Sequence, residues 1–319
     1  MLFQIPILTT FVHYFNNRKS NLSFGERIKP SVFRFDISHF MKQYFCLFLF
    51  VIVLQSCKKE PGNDNRTAVT MMNVSYGSDA KQTMDVYLPA GRSVDTTKVI
   101  VLIHGGGWTE GDKADFTPFV EVIQQLLPGY AIFNINYRLA YNGSNIFPTQ
   151  ENDVKAAIEF IYSKRSGYHI SDKFVYLGAS AGGHLSLLQA YKYHSPVTPK
   201  AVISFFGPTD LTTLFGSNLW AALILAQLTG SLPATNPAIY QQSSPITFVN
   251  ASSPPTLLLH GGADPLVPSS QADLLKDALT NTGVANQYVF YPNEAHGWTG
   301  ANLDDSIAKI VAFLRNHVN

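Results

Sequence analysis

The chain has 319 residues and a formal net charge of +1, with 46% hydrophobic residues against 14% charged. That balance supplies a sizeable core and excludes an intrinsically disordered chain. The first 57 residues hold six Lys/Arg and two Asp/Glu, leaving 17 basic against 20 acidic groups after them, a near-neutral body with no electrostatic reason for a nucleic-acid partner.

Residues 1–40 show no helical or alternating period and precede a second plausible start at Met41, so they read as over-extended translation. Met41-Lys42-Gln43 forms a short basic head, and Tyr44 to Leu54 is an apolar run too short to span a bilayer, the pattern of a signal peptide over 41–57. Its Leu54-Gln55-Ser56-Cys57 ending resembles a bacterial lipobox. That resemblance implies a lipidated Cys57 and an extracytoplasmic, membrane-anchored protein of the bacterial envelope. A short buried core helix is the alternative for this run. Residues 58–69 then read as a polar tether and 70–319 as one folded domain. Cys46 and Cys57 are the two cysteines, so no disulfide is available to that domain.

From Thr70 the pattern is regular. Met71–Tyr76 and Met84–Leu88 read as two hairpin-like strands suited to the antiparallel edge of a mixed sheet. Val99–Ile103 is a continuous β-branched run, as in a strand covered on both faces. Ala131–Tyr137, Phe174–Leu177, Ala201–Phe206, Thr256–Leu259 and Gln287–Tyr291 repeat that character. Val154, Ala157, Ile158 and Ile161 follow helical spacing, as do Ile307, Ile310, Val311 and Leu314. Strands alternating with helices predict an α/β class: a mostly parallel eight-stranded sheet between helical layers. Residues 211–248 break the rhythm and read as an insertion over the sheet edge, either a small lid or an outer helix with a long connection.

The chemistry-bearing residues follow in a telling order. Ser180 stands in Gly178-Ala179-Ser180-Ala181-Gly182, between a strand and a helix beginning at Ala181. A sharp strand-to-helix turn pushes such a hydroxyl out above the sheet, and the helix N-terminus favours negative charge beside it. His104-Gly105-Gly106-Gly107-Trp108 follows the strand ending at Ile103, and consecutive glycines leave N–H groups unobstructed. Gly106 and Gly107, with the N–H of Ala181, are the expected oxyanion-hole donors. Among nine histidines, His296 lies in a loop between the last strand and the last helix, the topological place for a base. His104, His184 and His260 are expected to make structural hydrogen bonds. Asp264 follows the next-to-last strand and completes the order Ser, Asp, His; Asp210 is its competitor. No dense His/Cys/Asp cluster has metal-ligand spacing, so neither metal nor cofactor is expected.

From about Thr70 to its end the chain resembles the hormone-sensitive-lipase-like and feruloyl-esterase-like branches of the α/β-hydrolase superfamily. The resemblance is carried by Gln82–Pro89, His104–Trp108 with Gly111-Asp112-Lys113, Tyr137-Arg138-Leu139, Phe147-Pro148 with Asp153, Gly178–Gly183, Ser244-Pro245-Ile246 and His260–Pro268. It implies the α/β-hydrolase fold and hydrolysis of carboxylic esters through a Ser180–His296–Asp264 triad. Acetyl or feruloyl esters of carbohydrate are the first expectation and other short-chain esters the second. A peptidase or amidase on the same fold, or a non-catalytic ligand-binding homologue, are the alternatives. Oligomeric state is left open.

Overall fold

The computed structural model describes residues 66–319. The signal sequence, Cys57 and the 1–40 reading lie outside the described residues, as does most of the tether. Among the described residues, eight strands form one sheet in the order β1-β2-β4-β3-β5-β6-β7-β8. They are β1 Val69–Ser75, β2 Thr83–Leu88, β3 Lys98–Ile103, β4 Tyr130–Ile135, β5 Phe174–Ala179, β6 Ala201–Phe205, β7 Thr256–Gly261 and β8 Asn286–Tyr291. The β1–β2 and β2–β4 pairs are antiparallel, and every pair from β4 to β8 is parallel. All six residues of β4 are buried, whereas β1 and β8 alternate at the edges, so unbroken, mostly apolar runs mark the centre of the sheet.

The helices are α1 Thr117–Leu126, α2 Thr149–Ser163, α3 Arg165–Tyr168, α4 Ala181–Lys192, α5 Leu211–Phe215, α6 Leu219–Thr229, α7 Pro237–Gln242, α8 Ser270–Asn281 and α9 Ala301–His317. Helices α2, α4 and α8 bury Val154, Ile158, Leu185, Leu188 and Leu275 in one core with Val99, Val101 and Ile103. Helices α1 and α9 bury Phe119, Ile123, Ile310 and Phe313 in a second core with Ile100 and Leu102. Successive residues of β3 thus feed opposite cores, as a period of two requires. The sheet is sandwiched between helices in the α/β-hydrolase fold.

The eight expected strands are all present, with shifted ends. Strand β4 stops at Ile135 rather than Tyr137 because its partners run out there: Ile135 pairs with Ile103, the last residue of β3, and the Asn136 N–H makes the final bond, to the carbonyl of Thr83 where β2 begins. Asn136 accepts from the Lys113 N–H at 2.6 Å, and the Tyr137 hydroxyl donates to the His104 carbonyl at 3.0 Å. The insertion between β6 and β7 resolves into α5, α6, α7 and a 3-10 turn at Pro245–Phe248.

Candidate active site

Ser180 sits between β5 and α4 with φ 54° and ψ −121°. That backbone is uncommon for a residue with a side chain and persists only where its surroundings over-determine it. Its N–H donates to the Phe205 carbonyl at 2.8 Å, and its own carbonyl accepts from the His184 N–H at 2.9 Å. Close approach also fixes the flanking glycines: a β-carbon on Gly178 would overlap the Gly182 carbonyl, and one on Gly182 the Ile103 carbonyl. The Ser180 side chain does not cap α4. It donates instead to His296 Nε2 at 2.9 Å.

His296 Nδ1 donates to Asp264 Oδ2 at 2.6 Å. The other carboxylate oxygen, Oδ1, accepts from the N–H groups of Leu266 and Val267, both at 2.9 Å, which fixes the carboxylate plane. Burial alone raises the Asp264 pKa, but hydrogen bonds from His260 and His296, attraction to the His296 ring and the Val267 N–H outweigh it. Together they hold the carboxyl well below the usual carboxylate range. Asp210 is engaged elsewhere: it caps α5, accepting from the N–H groups of Thr212 and Thr213 at 2.9 and 3.2 Å.

The remaining histidines of this region are held in fixed roles. His260 Nε2 donates to the Val267 carbonyl at 2.9 Å, and His104 stacks on Tyr137 with centroids 4.3 Å apart. His184 donates from Nε2 to the Ser243 carbonyl at 2.6 Å and accepts at Nδ1 from the Trp108 indole at 3.2 Å.

Gly106, Gly107 and Trp108 have φ of 102°, 56° and 62°, a left-handed run that turns the loop after β3. Among the described residues, the N–H groups of Gly106, Gly107 and Ala181 donate to no backbone carbonyl. Gly106 and Gly107 line a cavity of about 300 Å³ together with Ser180 and His296. Ala181 lies directly behind Ser180 as the first residue of α4.

Sequence reasoning did not single out the walls of this cavity. Phe116, Phe119, Phe205 and Phe206 form an aromatic side, and Trp220, Ile224 and Leu266 an aliphatic-aromatic side. Glu110 and Asp115 also line it, and among the described residues no Lys or Arg does. Trp220 and Ile224 come from α6, so the insertion supplies one wall of the site. Among the described residues no group of His, Cys, Asp and Glu could hold a metal ion.

The sequence model of the BD-FAE family matches residues 84–279, the span that contains the glycine loop, Ser180 and Asp264. The chain belongs to the BD-FAE family. Outside the span matched by that BD-FAE model lies His296, which the fold returns to Ser180. The BD-FAE chain is 28% identical over 257 residues to Esterase LipQ of Mycobacterium tuberculosis, covering 75% of this chain and 59% of that protein. To the probable carboxylic ester hydrolase LipM of the same organism it is 32% identical over 235 residues, covering 69% and 53%. The match therefore spans just over half the length of these two relatives. Among solved structures it is similar to a truncated carbohydrate esterase from gut microbiota, with TM-score 0.69, 25% identity and coverage of 81% and 99%. It is also similar to a bifunctional GH43-CE protein of Bacteroides eggerthii, with TM-score 0.69, 28% identity and coverage of 78% and 38%.

Proposed function

We propose that the chain is a serine carboxylic ester hydrolase that works through an acyl-enzyme. The observation that carries this reading is the unbroken hydrogen-bond line from Ser180 through His296 to Asp264 at the cavity wall. In this reading Ser180 Oγ attacks the ester carbonyl while His296 Nε2 takes its proton, and Asp264 holds the tautomer and stabilises the imidazolium. The N–H groups of Gly106, Gly107 and Ala181 receive the negative charge on the tetrahedral oxygen. His296 returns the proton to the leaving alcohol, then activates the water that releases the acid.

The substrate class we propose is an acetyl or feruloyl ester of carbohydrate, with other short-chain esters second. The four-phenylalanine wall supports an aromatic or compact apolar group beside Ser180, and the carbohydrate-esterase likeness supports a sugar alcohol. We also propose that lipidated Cys57 anchors the protein outside the cytoplasm, which radiolabelled palmitate incorporation lost in Cys57→Ser tests.

A panel of nitrophenyl esters of graded length, methyl ferulate and acetylated xylan, with Ser180→Ala as the blank, tests the reaction. Serine-dependent release of ferulate or xylan acetate supports the carbohydrate reading. Activity confined to nitrophenyl esters leaves a general carboxylesterase, and no serine-dependent release from any ester overturns the proposal.

A further inference from the structure

Trp108 is a large buried side chain on left-handed backbone, φ 62°, immediately after two glycines that are also left-handed. Such a residue holds its conformation only if packing and hydrogen bonds fix it. Its carbonyl accepts from the Ala140 N–H at 2.9 Å, and the Ala140 carbonyl in turn accepts from Gln227 Nε2 of α6 at 3.2 Å. Its indole N–H donates to His184 Nδ1 at 3.2 Å, the rings meeting edge to face with centroids 5.1 Å apart. His184 donates from its other nitrogen to the Ser243 carbonyl of the insertion at 2.6 Å. It is also the residue whose backbone N–H bonds the Ser180 carbonyl, at 2.9 Å. One fully buried histidine therefore joins three segments, the glycine loop and the insertion through its ring and the serine turn through its backbone N–H.

We propose that His184 is a positioning residue that, through the Trp108 indole, sets the Gly106–Gly107 N–H groups against Ser180. The imidazole is suited to this because it accepts at one nitrogen and donates at the other, so a single tautomer satisfies both ends of the bridge. Loss of either partner leaves a buried polar atom unpaired and frees Trp108 to relax from its left-handed backbone. The donors would then miss the tetrahedral oxygen while the cavity walls that bind substrate stay in place.

This inference rests on the esterase reading, and its test separates the two. With the best ester of the panel, Trp108→Phe and His184→Phe should each lower kcat about tenfold to hundredfold with KM within about threefold. The double variant should lose no more than about twofold beyond the worse single one, because both remove the same bridge. His184→Gln, which keeps an acceptor and a donor, should recover part of the loss. In nitrogen-15-labelled wild type, the Trp108 indole N–H, assigned by its absence from Trp108→Phe, should lie downfield and exchange slowly, and His184→Phe should move it upfield. Single-variant kcat within about twofold of wild type, multiplying losses in the double, or a change confined to KM would overturn the inference. If wild type cleaves no ester, the esterase reading fails on its own, and an unshifted indole signal in His184→Phe still overturns the bridge.

Discussion

Phe206 packs its ring against the imidazole of His296, with centroids 4.5 Å apart and planes inclined at 51°. It does so from left-handed backbone, φ 39°, pinned by its N–H to the Leu259 carbonyl at 2.7 Å. Trp298 backs Phe206 edge-on, with centroids 5.5 Å apart. His296 lies in a loop rather than in a strand or helix, so its orientation depends on these rings and on Asp264.

Phe206→Ala should therefore lower kcat by about tenfold or more, since a small displacement of a base costs much in rate. Phe206→Leu, which keeps most of the volume, should lose less. Steady-state kinetics alongside thermal unfolding check this. A Phe206→Ala protein of wild-type kcat would show that Asp264 alone orients His296.

Asp264→Asn should lower kcat by about 10⁴, the scale expected when the imidazole is left in the wrong tautomer. Asp210→Asn should stay within about threefold of wild type, because asparagine caps α5 as well as aspartate does. Equal losses in the two variants, measured on one ester, would contradict the assignment of the acid.

Much of this arrangement is legible in the sequence, and what is not has a common cause. β-branched runs such as Val99–Ile103 announce buried strands by composition, and the order Ser180, Asp264, His296 survives folding because each follows its own strand. The competitor Asp210 could not be dismissed without seeing its bonds to Thr212 and Thr213. The cavity walls were invisible for another reason. Phe116, Phe205 and Trp220 are ordinary core-like residues in sequence, and only long-range packing puts them around one serine. Helix α6 was also obscured, because Leu219–Thr229 is apolar on every side and shows no helical period. Left-handed Trp108 and Phe206 carry no sequence signal at all.

Gly182→Ala should fail mainly as a fold. The added methyl would overlap the carbonyl oxygens of Ile103 and His104, which belong to the strand and loop beneath Ser180. Backbone has no rotamer escape, so the destabilisation should reach about 3 kcal/mol or more. Chemical denaturation of the soluble fraction measures it. Stability within about 0.5 kcal/mol of wild type would mean that α4 can shift away from β3 without cost.

Glu110 and Asp115 should make the site select by charge. Both residues line the cavity, and among the described residues no Lys or Arg lines it to offset their charge. One Asp115 oxygen is held by the Asp112 N–H at 3.1 Å. An ester carrying its own carboxylate should show kcat/KM about tenfold below that of its neutral isostere, less at high salt, as screened repulsion requires. Glu110→Gln with Asp115→Asn should narrow that gap while leaving the neutral ester nearly unaffected. An unchanged ratio in the double variant would place the selectivity elsewhere.

Acid should destabilise the folded domain through two histidines before its carboxylates matter. His104 and His184 are fully buried, and loss of hydration pushes each from the ordinary 6.5 down to about 4. Around His184, the Ser243 carbonyl favours the proton and the Lys192 charge opposes it, while Trp108 needs the neutral ring as acceptor. Around His104, the Gly105 carbonyl and Asp112 favour the proton and Lys81 opposes it. Between the two values the unfolded chain binds more protons than the folded one, so stability falls as pH drops from about 6.5 towards 4. The full contribution is present above pH 6.5 and amounts to roughly 3 kcal/mol for each histidine, a large fraction of a typical domain's stability. Asp264 adds a separate loss only at lower pH, since its folded-state carboxyl is held below the ordinary range. Urea midpoints at about pH 7, 5.5 and 4.5 should fall steadily for wild type, and more gently for His184→Gln, by up to about 1.4 kcal/mol per pH unit. Parallel pH curves for the two proteins would mean that His184 takes up its proton as readily folded as unfolded, and once protonated the ring could not accept from Trp108.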